Sequence, residues 1–324
     1  MNTTSIKQNL VKFQSIIALL IMCIALSFLS DRFLTADNSW NVMRQISVNM
    51  IISVGMTLVI LAGGIDLSVG SILALAGAVT AVMLKFGTEF VNMNVYIGFT
   101  LVGALIGGTL VGAFLGWFNG FTITKFKVPP FVATLAMLTI ARGLTMLLTG
   151  GFPITGFSPE MAFIGTGWFL GIPMPVWISA LVVFAAVVMT NKTRLGRHIY
   201  AIGGNETASE LSGLKIKKIK MIVYSIAGAC AAIGGIIVTS RLDSAQPNAG
   251  MGFELDSIAA VVIGGTSLSG GKGTILGTVQ GALIIGILNN GLVLMNVSPF
   301  WQQVIKGFVI LLAVIIEKLN SKEK

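Results

Sequence analysis

Long apolar runs alternate with short polar or glycine-rich segments along almost the whole chain. After a first helix over residues 15–30, we predict spans near the following residues: 46–62, 67–84, 95–120, 130–149, 176–190, 221–240, 255–268, 275–294 and 300–317. These runs reach or approach the roughly 20 apolar residues that cross a bilayer as a helix. The pattern therefore predicts an all-α integral membrane protein, a polytopic bundle of about ten transmembrane helices.

Residues 191–220 form the one long polar segment of the chain. Only Glu206 and Glu210 are acidic there, and the basic residues are Lys192, Arg194, Arg197, Lys215, Lys217, Lys218 and Lys220. Cytoplasmic loops carry an excess of Lys and Arg, so the segment is predicted to be a cytoplasmic loop. Counting spans from it places both termini in the cytoplasm and the Gly- and Pro-rich residues 150–175 in an outer loop.

The middle of this segment has the residues that begin and end a short helix. Asn205 suits the N-cap, Glu206 lies where the helix dipole favours an anion, and Gly213 suits the position after the last turn. A helix of two turns is marginal in water, so we expect it to lie on a surface. That surface is either the membrane or another protein.

Composition and charge support the membrane assignment. The 324 residues are 55% hydrophobic and only 10% charged, with a mean hydropathy of +0.91. The net charge of +9 does not indicate nucleic acid, because much of the excess lies in residues 191–220 and near the termini, where it orients spans. Cys23 and Cys230 fall inside apolar runs, which favours inert thiols over a disulfide or a metal site.

The chain shows no pattern typical of an enzyme. His198 is its only histidine, which excludes a histidine-based metal site or catalytic triad within one chain. Residues 265–274 resemble a phosphate-binding loop, but Thr266 stands where that motif needs Gly and Gly273 where it needs Ser or Thr. We therefore expect this chain to bind no cofactor and no metal.

Several polar residues within or beside the spans are candidates for a solute path. Asp66 either caps a helix that starts at Leu67 or takes part in gating, because an unpaired carboxylate in a bilayer is costly. Asn289 and Asn290 either line a hydrophilic path or join helices by hydrogen bonds. Arg142 and Lys306 also lie within spans, and the sequence names no partner for either.

Glycines recur at spacings that favour close helix packing. Examples are Gly108, Gly112 and Gly116 in one span, and Gly277 and Gly281 in another. We expect packing within the chain, with a contact between subunits as the alternative. A short echo also joins residues 63–70 to 264–271, since both contain Gly-Gly, then Leu-Ser and Gly at the same spacing.

Three segments carry a resemblance to a known family. Residues 60–71 read ILAGGIDLSVGS, and residues 193–213 and 255–273 have similar counterparts in the same proteins. The chain resembles the permease subunits of bacterial ABC importers for monosaccharides. The resemblance implies the permease fold, a single transmembrane permease domain over residues 1–324, and ribose or a similar monosaccharide as cargo.

The resemblance also implies partners and site residues. The partners would be a second permease chain (a homodimer), an ABC ATPase that uses ATP and Mg²⁺, and a periplasmic sugar-binding protein, in the bacterial inner membrane. The loop helix would be the coupling helix, with Gly203, Gly204 and Gly213 allowing a sharp entry and exit. Its expected contact residues are Gly203, Gly204, Asn205, Glu206, Ala208, Leu211, Ser212 and Gly213. The expected path or gating residues are Asp66, Ser68, Asn289 and Asn290.

The alternative interpretation is an ion-coupled secondary sugar transporter that acts without an ATPase. Such a protein needs intramembrane acids, and Asp66 is nearly the only candidate. Sugar uptake that survives loss of the ATPase would favour it. A membrane enzyme is disfavoured by the single histidine and the lack of clustered carboxylates.

Overall fold

The computed structural model describes Ile17, residues 19–90 and residues 95–322. Its helices are α1 (Leu19–Leu29), α2 (Ala36–Leu61), α3 (Val69–Lys85), α4 (Leu101–Phe126), α5 (Pro130–Thr149), α6 (Pro159–Thr166), α7 (Met174–Lys192), α8 (Arg194–Gly204), α9 (Glu206–Leu211), α10 (Ile216–Arg241), α11 (Phe253–Ile263), α12 (Ile275–Leu294) and α13 (Pro299–Lys322). Residues 15, 16 and 18 of the predicted first helix lie outside the described residues.

Short strands join the helices at one end of the bundle. They are β1 (Thr88–Phe90), β2 (Val95–Ile97), β3 (Ile154–Thr155), β4 (Trp168–Phe169), β5 (Ile172–Pro173) and β6 (Ser244–Ala245). They form the antiparallel pairs β1–β2, β3–β6 and β4–β5. The β3–β6 pair joins the segment after α5 to the segment after α10, so two distant connections are held side by side.

Hydroxyl side chains fix where several helices begin. Thr35 accepts a hydrogen bond from the Asn38 amide at the start of α2, and Thr100 accepts one from Gly103 before α4. Thr274 caps α12 in the same way. Each cap satisfies a backbone donor that the first turn leaves free, which explains these boundaries from local sequence.

The predicted count of about ten transmembrane helices is not confirmed. Of the described helices, six are long and apolar enough to cross a membrane: α2, α4, α5, α7, α10 and α12. The apolar stretches Leu19–Leu29, Val69–Lys85 and Pro299–Ile315 are shorter. The predicted span 255–268 is wrong in extent, because α11 stops at Ile263 and its 11 residues cover only about 16 Å at 1.5 Å per residue.

Helix α10 lies at the centre of the bundle and packs mainly against α4, α3 and α2. Glycines allow the closest of these contacts. A Cβ atom on Gly112 of α4 would lie 2.5 Å from the Gly228 carbonyl oxygen of α10, so neither position has room for a side chain. Gly281 of α12 is packed against Ala260 of α11 in the same manner. The prediction of close packing within the chain is confirmed.

The two glycine-rich turns that echo each other in sequence meet in the structure. Gly271, in the connection between α11 and α12, donates its amide to the Leu61 carbonyl at the end of α2, at 3.0 Å. A Cβ on Gly270 would lie 3.1 Å from the Gly63 Cα. Both turns therefore occupy the same end of the bundle, and this end also carries α8 and α9.

Candidate functional site

The polar segment begins with α8, an amphipathic helix that the sequence analysis missed. Thr193 accepts a hydrogen bond from the Gly196 amide at its start. Ile199 and Ile202 are buried against the bundle, whereas Arg194 and Arg197 face outward. Leu195, Ile199 and Ile202 are spaced four and three residues apart, the spacing of one helix face, so the signal was present.

The predicted loop over residues 191–220 is therefore wrong in its extent. Helix α7 continues to Lys192 and α10 begins at Ile216, which leaves residues 193–215 between the two helices. Polar residues at both ends of this segment extend the neighbouring helices, because Lys and Arg are good helix formers whose side chains reach solvent from a helix end.

The end of α8 is pressed against the two glycine-rich turns. A Cβ on Gly203 would overlap the Leu61 carbonyl oxygen and would lie 2.5 Å from the Gly271 amide nitrogen, whereas one on Gly204 would have no atom within 4 Å. The Tyr200 hydroxyl donates to the Gly273 carbonyl at 2.8 Å. Burial raises the pKa of the Tyr200 phenol, which keeps it protonated as a donor.

Gly203 and Gly204 do not form the sharp entry to α9 that was predicted. Both are the last residues of α8, and the chain turns instead at Asn205, whose backbone is extended with φ −160° and ψ 103°. Gly203 is needed for close packing, and Gly204 is not constrained by neighbours. Gly213 does adopt the left-handed conformation expected of it, with φ +84°.

Helix α9 confirms the predicted short helix and its caps. The Asn205 side-chain oxygen accepts a hydrogen bond from the Ala208 amide at 2.9 Å. At the other end, the Gly213 amide donates to Glu210 and the Leu214 amide donates to Ser209, so the last carbonyls are satisfied. The helix is thus well formed locally, although it has only six residues.

Most of α9 is exposed. Ser209 is buried, but Glu206, Ala208 and Ser212 are exposed, and Leu211 is 85% exposed. Glu206 forms an ion pair with Lys220 of α10 at 2.7 Å. A short helix with an exposed leucine is only marginally stable by itself. Its exposure therefore favours a partner surface that covers it.

Asp66 lies in a buried network between α2 and α3. Its Oδ1 atom accepts hydrogen bonds from the amide and hydroxyl of Ser68, and Asn119 of α4 donates to that hydroxyl at 2.9 Å. The predicted helix start at Leu67 is wrong, because α3 begins at Val69 and Ser68 occupies the N-cap position. Asp66 instead orders the turn that precedes the helix.

Asn289 and Asn290 also form hydrogen bonds between helices. Asn290 exchanges two hydrogen bonds with Asn38, at 2.9 and 3.1 Å. Asn289 contacts Asp256, whose carboxylate also binds Lys306 of α13 at 3.0 Å. Lys306 is thus paired with an acid 50 residues away, which could not be identified from the sequence.

A role in the solute path stays a prediction for the four residues Asp66, Ser68, Asn289 and Asn290.

Arg142 finds its partners in a backbone segment. Its Nη1 atom donates to the carbonyl oxygens of Pro247 and Ala249, the latter at 2.9 Å, and Glu254 supplies a nearby opposite charge. Backbone carbonyls carry no residue-specific signal, so sequence reasoning could not have found this contact.

A cavity of about 350 Å³ lies at the end of the bundle opposite to α8 and α9. Its lining is neutral or basic and consists of Asn41, Arg44, Gln45, Thr166 and Arg241. The Arg44 guanidinium also lies over the Trp168 ring, 4.9 Å from its centroid. This contact is favourable because the ring face is electron-rich. The structure thereby brings together two arginines that lie 197 positions apart.

Comparisons with known proteins identify relatives over nearly the full length. Residues 38–314 match the family described as "Branched-chain amino acid transport system / permease component". The chain is 51% identical to the Ribose import permease protein RbsC of Escherichia coli (strain K12), covering 98% of this chain and 96% of that protein.

Two further relatives are similar over nearly the same length. The Ribose import permease protein RbsC of Bacillus subtilis (strain 168) is 50% identical, over 96% of this chain and 94% of that protein. The D-allose transport system permease protein AlsC of Escherichia coli (strain K12) is 40% identical, over 94% and 90% respectively. No solved structure matches the chain.

Proposed function

The chain belongs to the family described as the permease component of the branched-chain amino acid transport system, and from this we propose that it is the membrane subunit of an ATP-driven (ABC) importer for ribose or a similar monosaccharide. The observation that carries the proposal is its near-full-length similarity to the ribose import permeases of Escherichia coli and Bacillus subtilis. The family description names amino acids, but these relatives and the allose permease are named for sugars, which favours a sugar as cargo.

Helix α9 supplies the structural basis for coupling. We assign it as the coupling helix that lies in a groove of the partner ATPase, with Leu211 and the exposed residues around it as contacts. The ATPase uses ATP and Mg²⁺, and this chain contributes no bond-making step. Since α9 is short and exposed, the partner also provides the surface that stabilises it.

Helix α8 transmits the movement of α9 into the bundle. Its end contacts Leu61 of α2 and Gly271 of the α11–α12 connection without an intervening side chain. Backbone contacts of this kind allow little relative movement of the two segments, because packed interiors are dense and poorly compressible. A displacement of α9 therefore shifts α2 and the α11–α12 connection together, which switches the path between its two faces.

The complete importer contains further components. We propose two copies of this chain around one path, two ATPase subunits and a periplasmic sugar-binding protein, in the bacterial inner membrane. The excess of Lys and Arg on the α8–α9 end favours a cytoplasmic location for that end and for both termini.

Uptake of radiolabelled ribose tests the proposal. The chain is expressed in cells without their own high-affinity ribose system, with and without its ATPase and its binding protein. We expect uptake only when all components are present, with competition by ribose and little by galactose. Uptake by this chain alone that collapses with the proton gradient would instead identify a secondary transporter and make Asp66 the first residue to study.

A further inference from the structure

We propose that one polar face at mid-depth of the bundle lines the route of the imported sugar and binds its hydroxyl groups. The face, which we call the α5 face, consists of Thr139, Arg142 and Gly143 of α5 with Asn248 and Glu254. It rests on the proposed function and assigns the contact site for the cargo. The four residues that the sequence predicted for the path are not part of it.

Arg142 lies deep within the span that α5 would form. Counting from its ends at 1.5 Å per residue, Arg142 lies about 18 Å along α5 from Pro130 and about 10 Å from Thr149. Helix α5 is long and apolar enough to span, and Arg142 is half-buried rather than enclosed. A guanidinium at mid-bilayer costs roughly 2.5–3.5 kcal/mol on insertion scales, so such residues face protein or water rather than lipid.

The backbone segment beside Arg142 is irregular. Residues 242–252 connect α10 to α11, and Asp243, Gly250 and Gly252 adopt positive φ angles there. Two carbonyls of this segment accept hydrogen bonds from Arg142, and Gly250 packs directly on Gly70 near the start of α3. Non-helical backbone at membrane depth is tolerated only inside protein or beside a water-filled cavity.

The α5 face is open. Asn248 and Thr139 are exposed, and a Cβ on Gly143 would meet no atom within 4 Å. The Asn248 amide makes no hydrogen bond to another residue in the part of the chain that the structure describes. Because charge and irregular backbone keep this surface from lipid, it faces water or the same surface of a second copy, which would enclose a route between them.

The chemistry of the α5 face suits a neutral, hydroxylated solute. Arg142 offers donors, Glu254 offers acceptors and Asn248 offers both. Arg142 and Glu254 carry opposite charges and lie near each other. The two charges balance, so the face carries no net charge that would hold an ion. Irregular segments that interrupt helices at mid-depth recur at substrate sites in transporters, and α11 begins directly after this one.

By contrast, the residues predicted for the path are enclosed. Asp66 and Ser68 are fully buried and bonded to each other, and the buried side-chain amides of Asn289 and Asn290 donate to Asp256 and Asn38. A sugar could reach these buried side chains only after the surrounding helices separate. The α5 face needs no such rearrangement.

Cysteine labelling in nanodiscs that hold the complete importer tests this inference. Asn248→Cys is introduced into a chain with Cys23→Ser and Cys230→Ala, and a charged methanethiosulfonate reagent is added with and without ribose and ATP. The matched control is Leu181→Cys on α7, where the side chain is 68% exposed on an apolar helix face. Gly143→Cys provides a second position with open space.

We expect Asn248→Cys and Gly143→Cys to react at least tenfold faster than Leu181→Cys, and the reaction to block ribose uptake. Ribose supplied with its binding protein and ATP should slow the labelling. Rates equal to that of Leu181→Cys, or labelling that leaves uptake intact, would overturn the inference. Failure of the proposed function is distinguishable, since it would appear as ATPase-independent uptake by the unlabelled parent chain.

Discussion

Helices α8 and α9 are separated by a single residue, yet α8 packs against the bundle and α9 is largely exposed. Helix α8 buries Ile199 and Ile202 and contacts α2, α7 and α10, whereas α9 leaves Leu211 and most of its surface exposed. Both come from the same basic, polar segment, so composition does not distinguish the helix that packs on the bundle from the helix that remains exposed. The spacing of the apolar residues within the segment does distinguish them.

This difference gives each helix its own expected response to mutation. Changes on the packed side of α8 should lower the stability of the bundle, because they disturb contacts within the chain. Changes on the exposed side of α9 should leave stability unchanged and impair only the steps that need the ATPase. Comparing thermal unfolding with ATP-driven uptake for each variant therefore separates the two roles.

The largest effect is expected from Gly203→Ala. The added Cβ overlaps the Leu61 carbonyl oxygen, and overpacking of this kind typically costs about 1–3 kcal/mol. We expect a lower unfolding temperature of the purified chain and slower ribose uptake. Gly204→Ala is the matched control, because its Cβ meets nothing within 4 Å and should leave both measurements unchanged. Equal behaviour of the two variants would contradict the close contact.

A smaller loss of stability is expected from Tyr200→Phe. The change removes the hydrogen bond from the hydroxyl to the Gly273 carbonyl and leaves that acceptor without it. Such a bond contributes about 0.5–1.5 kcal/mol, so unfolding in denaturant should shift by that amount. Unchanged stability would show that α8 is not fixed to the α11–α12 connection through this contact.

A local effect is expected from Asn205→Ala, which removes the cap of α9. The loss of a cap costs about 1 kcal/mol of helix stability. Because α9 is exposed, hydrogen exchange of its amides should speed up while the global unfolding temperature stays the same. Thr193→Ala, at the cap of the packed helix α8, serves as the contrast and should lower the global value.

The smallest effect is expected from Glu206→Gln. The ion pair with Lys220 joins a half-exposed carboxylate to α10, and such pairs contribute at most about 1 kcal/mol. Stability should change little, and the remaining difference should disappear at high salt. A large loss of stability would show that α9 is held by the bundle rather than by a partner.

Local features of the fold could be predicted from the sequence. The caps of α9 and the left-handed Gly213 follow from the preferences of Asn and Gly. Apolar runs predicted most of the long helices, because helices that are buried or face lipid both need apolar side chains. Hydropathy alone could not show that α11 ends at Ile263, since Gly264 and Gly265 are uncharged and follow the apolar run directly.

Contacts between distant residues could not be predicted. Arg142 and Lys306 were identified as costly, but their partners are backbone carbonyls and an acid far along the chain. Asn290 was given two alternatives, and the structure shows a hydrogen bond to another helix. In each case the residue type limits the chemistry, and only the packing of helices selects the partner.

Contact between α9 and the ATPase can be measured as the affinity of the ATPase subunit for the chain in nanodiscs, with Leu211→Asp as the variant. Leu170→Asp is the matched control, because Leu170 is 77% exposed at the opposite end of the bundle. We expect Leu211→Asp to weaken binding at least tenfold, about 1.4 kcal/mol, without a change in unfolding temperature. Affinity equal to that of Leu170→Asp and of the parent chain would contradict the account.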